Sequence, residues 1–556
     1  MRHRKLLAAW FLAVSGMANA DVEVNIKYLH SQALEVSYQI PSACSSLAFK
    51  KKGNDAAKIR STWQLLDACG KADGQHLSNQ EAQQAQQATC TQLRFQVPVS
   101  ADKVRGYPAA FPVADAIYVH TSNYAVESGC GKVSYSFSAP GIAMNAQVFA
   151  NHTRPTGLNG EDMSVLLLPQ VLKTDSNFIG YFDPALGEAN IRNIRKIAGE
   201  SIVFLHQALP RATFDMPIIA ASRVLGPGGA RPDGDAGDVL RLGLFNWPLQ
   251  PDAETERMMT LFVSHEFSHR FQMRDATDVY ADARLIHEGG AEFLRWLMAV
   301  RKGWLTHEQA ADELNMALGE CLLNVRQSSW GNLTANQIRG GRLDYHCGLA
   351  VYVFGLAARQ GKAGPFERFD GFYDQLRQAQ GQTQGQMQAP RPDFAHALEC
   401  GEEPACKSKW LSRMLGKQES MQAVWVDFFQ QTGFARAVDA SQQQKNAMLN
   451  QVMQELMRED CGTSSTFPQA DKLGVDEVKG CKILRGGMNI IKSENLPLYT
   501  HPDTLVATIA ACRQRSQVRL TIESGQQLDL TCKKVYQPVE QFYEVDMMKL
   551  LSSLNR

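Results

Sequence analysis

Val263-Ser264-His265-Glu266-Phe267-Ser268-His269 decides how this chain is read. The segment has the form H-E-x-x-H. Upstream, Pro251, Asp252 and Glu254 are helix-start signals, and Met258, Met259, Leu261, Phe262 and Phe271 supply apolar contacts along a long helix. At 3.6 residues per turn, positions four apart stand about 40° apart on one face. His265 and His269 can therefore offer both imidazoles to one tetrahedral ion, and zinc (Zn2+, one per chain) is the metal expected. Glu266 projects beside them, too close in sequence to be a third tetrahedral ligand. It is placed instead to take a proton from a metal-bound water.

Such an ion needs a third ligand. Eighteen residues separate His269 from Glu288, which lies in Ile286-His287-Glu288-Gly289-Gly290-Ala291-Glu292-Phe293. The pattern H-E-x-x-H-x18-E resembles the gluzincin metallopeptidases, including the membrane alanyl aminopeptidase and glycyl aminopeptidase families. That resemblance implies a second helix carrying Glu288 as a metal ligand. Gly289 and Gly290 would let this helix approach the metal helix closely. Glu292, one turn beyond Glu288, is expected to orient a metal-bound histidine. His287 stands about 100° from Glu288 around the helix and is read as structural, or as a support for a metal ligand, rather than as a ligand itself.

Further on, Asp344-Tyr345-His346-Cys347-Gly348 matches the Y-x-x-G segment of these families. The match implies that the Tyr345 hydroxyl donates a hydrogen bond to the oxyanion of the reaction, with His346 beside it as a candidate substrate contact. A Cys321–Cys347 disulfide would hold the tyrosine's helix against the preceding segment. The extended Met216 to Val224 and the glycines after it, Gly228 and Gly229, fall where these families place a substrate-binding edge strand. Many exopeptidase members carry a glutamate there that grips a free amine. Here Arg231 stands in its place, which leaves exopeptidase and endopeptidase both open.

The composition agrees with a large folded enzyme. The 556 residues carry 57 Lys+Arg against 57 Asp+Glu, 44% hydrophobic residues and twelve cysteines. A zero balance lacks the basic footprint of a nucleic-acid-binding protein. Arg2, Arg4 and Lys5, the apolar Leu6 to Val14 and Ala18-Asn19-Ala20 read as a secretory signal peptide cut after Ala20. Its apolar run falls short of the roughly 20 residues that span a bilayer, and no later stretch is long and apolar enough. Cleavage would leave 54 basic and 57 acidic residues, a formal −3, with all twelve cysteines retained. In an oxidising compartment, periplasmic or extracellular, an even count favours disulfides. Sequence leaves the connectivity open; proximity alone suggests Cys400/Cys406, Cys461/Cys481 and Cys512/Cys532.

The fold class expected is α+β and multidomain. Period-two alternation in Val22 to Ile26, Leu93 to Val97 and Val133 to Phe137 indicates strands. Residues 21–150 are read as a sandwich-like β domain, with a solvated Gln83 to Gln87 insertion. Residues 151–458 are read as the zinc domain, thermolysin-like by the resemblance, mostly helical with a small edge sheet. Within it a strand is expected at Val165 to Leu168, a helix over 188–208 and an exposed loop over Gln378 to Pro392. Residues 459–556 are read as a small α/β domain, PDZ-like by the resemblance, with a helix near 503–513 and strands in 518–530. The function expected is that of an exported zinc metallopeptidase acting on a peptide or protein substrate. The alternative is a catalytically silent peptide-binding or assembly factor that keeps the zinc site.

Overall fold

The structure is a computed structural model. It describes residues 21–555 apart from 42–45, 68–69, 80–90, 105, 128–131, 156–161, 173–177, 213–216, 272–281, 326, 359–364, 382–393, 399–409 and 477–479. The signal peptide expected over 1–20, the Gln83 to Gln87 stretch and the pair Cys400/Cys406 lie outside the described residues. The chain is a mixed α/β, multidomain one, with a β-rich N-terminal half and a helical C-terminal part. It divides into two compact units, residues 1–200 with 213–270, and 201–212 with 271–556.

The first unit is built on a nine-stranded sheet. Val22–His30 forms a hairpin with Ala33–Gln39 and runs parallel to Val133–Met144 on its other side. Val22, Val24 and Ile26 alternate inward, as the period-two pattern requires, and Ile26 sits opposite Val36 and Phe137. Burying such side chains stabilises by about 1.5–3 kcal/mol each. Trp63 stacks on Tyr124, and the rings of Tyr38, Phe49 and Phe95 close the cluster edge-on. Ser164–Leu168 is buried throughout and lies inside this sheet, between Ala116–His120 and Val133–Met144. The sheet thus takes in residues beyond 150.

A four-stranded sheet follows in the same unit. Its order is Ile179–Phe182, Ile218–Val224, Val239–Phe245 and Arg231–Ala236. The first three are parallel and the last is antiparallel, at the edge. Ile218–Val224 is therefore an interior strand, not the edge that the sequence reading made it. The physical reason is plain in its side chains. A parallel strand covered on both faces reads as a continuous apolar run, and Ile218 to Ala221 are all buried. The true edge, Arg231-Pro232-Asp233-Gly234-Asp235-Ala236, is polar and contains proline, which an edge tolerates.

The second unit packs the helices Ala283–Arg301, His307–Val325 and Leu343–Ala357. The disulfide Cys321–Cys347 joins the last two, as expected. Phe354, Trp425, Phe428 and Phe429 form an aromatic core behind them. Ala435–Val438 pairs with Phe542–Val545, so the end of the chain returns to the helical part. A six-stranded sheet near the C-terminus carries the helix Thr504–Arg515. Cys461–Cys481 and Cys512–Cys532 are both disulfides. The expected helix over 188–208 spans Glu188–Ala208. Among the described residues no helix is long and apolar enough to cross a membrane.

Candidate metal centre

In the first unit, the H-E-x-x-H segment lies on the helix Ala253–Arg270. Asp252 starts it by accepting the backbone N–H of Thr255 at 2.8 Å. Glu254 and Glu256 sit in the first turn, where the helix dipole favours negative charge. Met259, Val263 and Phe267 recur every four residues and are fully buried, which fixes the helix's rotation. Ser264 and Ser268 turn their hydroxyls back onto the carbonyls of Thr260 and Ser264. His265 and His269 then share a face, with ring planes at 88° and Nε2 atoms 3.1 Å apart. Two nitrogens each bound at 2.0–2.1 Å to one tetrahedral ion would stand about 3.3 Å apart. The imidazole pair fits that spacing. Glu266 is only 9% exposed.

The edge strand lies against this helix through a glycine. A Cβ on Gly234 would come within 2.7 Å of the Phe262 ring and 3.1 Å of the Glu266 carboxyl carbon. Behind the strand, Arg241 is fully buried and binds both of its aspartates. Nε meets Asp235 at 2.6 Å and Nη2 meets Asp233 at 2.9 Å. Tyr118 donates to Asp235, and Lys103 pairs with Asp233. Burial works against the Arg241 charge, but the two carboxylates more than offset it and raise its pKa. Sequence reading missed this network. Its visible signal was Asp-Gly-Asp, which puts two carboxylates on one face of a strand. Gly228 and Gly229 stand in the exposed loop before the strand, and a Cβ on either meets nothing within 4 Å. Arg231 opens the strand with its guanidinium 4.1 Å from the centre of the Phe245 ring.

In the second unit, Glu288 lies on the helix Ala283–Arg301. Arg284, one turn earlier, approaches it at 3.8 Å. Glu292 pairs with Arg295, a buried arginine that also holds Glu313 at 3.0 Å. Tyr345 sits in the first turn of Leu343–Ala357, with the Glu288 carboxylate near its hydroxyl. Burial, followed by the charges of Glu288 and Asp344, pushes that hydroxyl's pKa up and keeps it a donor. The Arg342 guanidinium lies 4.7 Å from the centre of the Tyr345 ring. His346 is half-buried, and burial lowers its pKa. Gly289 faces Gly348 of the tyrosine's helix, where a Cβ would fall 2.6 Å from the Gly348 Cα.

No family model matches this sequence, and no curated protein matches it significantly. Among solved structures, the chain is similar to an aminopeptidase N family protein from Idiomarina loihiensis. The TM-score is 0.53 at 12% identity, over 96% of this chain and 100% of that one. This likeness is one of fold alone. Two structures of an M1 zinc metallopeptidase from Deinococcus radiodurans, one bound to a Tyr-Ser-Ala substrate, match at 13% identity. They cover 68% of this chain and 88% and 87% of theirs, with a TM-score of 0.31, too low to support an argument.

Proposed function

We propose that this protein is a zinc-dependent peptidase. The observation that carries the reading is the imidazole pair of His265 and His269, spaced for one ion, with Glu266 buried beside it. Glu288, eighteen residues beyond His269 in the H-E-x-x-H-x18-E pattern, is the third ligand of a set of two histidines and a carboxylate. Bound zinc supplies Lewis acidity and lowers the pKa of water. Glu266 accepts the proton of the attacking water and delivers it to the leaving amine. Tyr345 donates its hydroxyl hydrogen to the developing oxyanion. Glu292 steadies the histidines, and Gly228, Gly229 and His346 are the lesser candidates for substrate contact.

The likeness in fold to the aminopeptidase N family protein supports the same class of reaction. We read the helical part as thermolysin-like. The strand Asn489–Ser493, the helix Thr504–Arg515 and the strands Gln517–Ile522 and Gln527–Thr531 follow the order of a PDZ-like second half. The three disulfides among the described residues fit an exported protein. The test is metal analysis of the purified protein together with mass-spectrometric profiling of peptide cleavage. Bound zinc with cleavage supports the peptidase. Bound zinc without cleavage of any peptide favours a silent peptide-binding factor.

A further inference from the structure

The first turn of the tyrosine's helix is held by more than its own backbone. Arg342, which precedes it, takes a left-handed conformation with φ of 49°, one that non-glycine residues seldom adopt. Asp344 is 1% exposed, and its Oδ1 accepts the backbone N–H of Tyr345 at 3.2 Å. Its Oδ2 receives the Arg284 guanidinium twice, from Nε at 2.6 Å and from Nη2 at 2.5 Å. That Nη2 also lies 3.8 Å from Glu288 Oε1. Glu288 in turn lies near enough for its charge to act on the Tyr345 hydroxyl. A chain of contacts therefore runs from Glu288 through Arg284 and Asp344 to the Tyr345 amide, across two helices and entirely within one unit.

We propose that Arg284 is a positioning residue that acts through Asp344 to aim the Tyr345 hydroxyl. The inference rests on the catalytic reading of Tyr345 given above. A plain helix staple is an insufficient account. Helix spacing is already set by the Gly289–Gly348 contact, and the Cys321–Cys347 disulfide anchors the tyrosine's helix two residues past Tyr345. The element left to fix is the first turn. Arg284 grips that turn at the residue whose other oxygen caps the tyrosine's own amide. A guanidinium suits the task because its planar fork reaches one carboxylate with two donors and still presents a face to a second. Its side chain is 48% exposed, so replacing it does not open a cavity in the core.

The test compares wild type, Arg284→Gln, Arg284→Lys, Tyr345→Phe and the double variant Arg284→Gln/Tyr345→Phe in the zinc-loaded full chain. We expect Arg284→Gln to lower kcat about tenfold with KM and zinc content unchanged, and Arg284→Lys to recover part of the loss. Added to Tyr345→Phe, Arg284→Gln should cost nothing further, because residues acting as one unit are non-additive. A readout independent of turnover is the ¹⁹F resonance of 3-fluorotyrosine placed at 345. It should be single and narrow in the parent chain, broadened or shifted by Arg284→Gln, and restored by Arg284→Lys. An additive double variant or an unchanged resonance overturns the proposal while the catalytic reading stands. A Tyr345→Phe variant with full kcat overturns the catalytic reading itself and this proposal with it.

Discussion

Gly289 and Gly348 face each other so closely that a Cβ on Gly289 would fall 2.6 Å from the Gly348 Cα and 3.0 Å from its carbonyl carbon. This bare contact is what lets the helix of Glu288 run against the helix of Tyr345. Alanine ordinarily favours a helix over glycine by about 1 kcal/mol. Here backbone meets the new methyl, and the helices must move apart. Gly289→Ala and Gly348→Ala should each destabilise by about 1–3 kcal/mol in denaturant unfolding, with loss of activity. An unchanged unfolding midpoint in both would remove the contact from the account.

The disulfide Cys321–Cys347 closes a loop with a sequence separation of 26. Loop-closure entropy sets its contribution at about 3 kcal/mol. A Cys321→Ser/Cys347→Ser variant should lose that much stability in denaturant and lose turnover as the tyrosine's helix loosens. Peptide mapping without reduction should recover the two segments joined. A free Cys347 thiol in the native protein would contradict the linkage.

Gly234 is the point at which the edge strand meets the proposed general base. Gly234→Ala would press a methyl on Phe262 and the Glu266 carboxyl carbon. Hydrolysis should fall by about 10²-fold while zinc stays bound, since displacing a catalytic group by about 1 Å costs that much. Turnover equal to wild type would show that the strand's approach to Glu266 is incidental.

Arg413 binds Glu419 with two donors, at 2.9 and 2.7 Å, and Asp427 with a third at 2.5 Å. These hydrogen bonds hold both carboxyls below their ordinary values of 4.5 and 3.8. A depressed folded-state pKa contributes stability above the unfolded value and loses it as pH falls through the folded one. The cluster should therefore contribute fully at neutral pH, with its contribution fading as pH falls below the ordinary carboxyl values. The melting-temperature difference between wild type and Arg413→Gln should be small, because the cluster is partly exposed, and should shrink as pH falls below the ordinary carboxyl values. A difference that is constant with pH would contradict this.

Much of the candidate site was legible because local periodicity carries it. Of the apolar contacts expected along the histidine helix, Met259 and Phe271 are buried while Met258, Leu261 and Phe262 are partly exposed, and two histidines four apart must share one face. Strands with alternating side chains, such as Val22–His30, were equally plain. What escaped depends on partners distant in sequence. The edge strand Arg231–Ala236 carries no strand signal of its own, because Pro232, Gly234 and two aspartates are poor strand formers until Arg241 neutralises the acids. Ile218–Val224 reads as an edge only until its neighbours on both sides are known. The contact of Gly289 with Gly348, 59 residues on, carries no signal in the sequence. Arg284 carries no motif at all, since its meaning comes from an aspartate 60 residues away.

The most direct test of the account is peptide cleavage by the zinc-analysed protein and its Glu266→Gln variant, followed by mass spectrometry on one peptide library. Glu266 stands beside a ligand but is not one, so the account predicts about one zinc per chain in both proteins. It predicts cleavage by the wild type and a loss of 10²-fold or more in the variant. Equal cleavage by the two proteins, or cleavage by a wild type that binds no zinc, would contradict it.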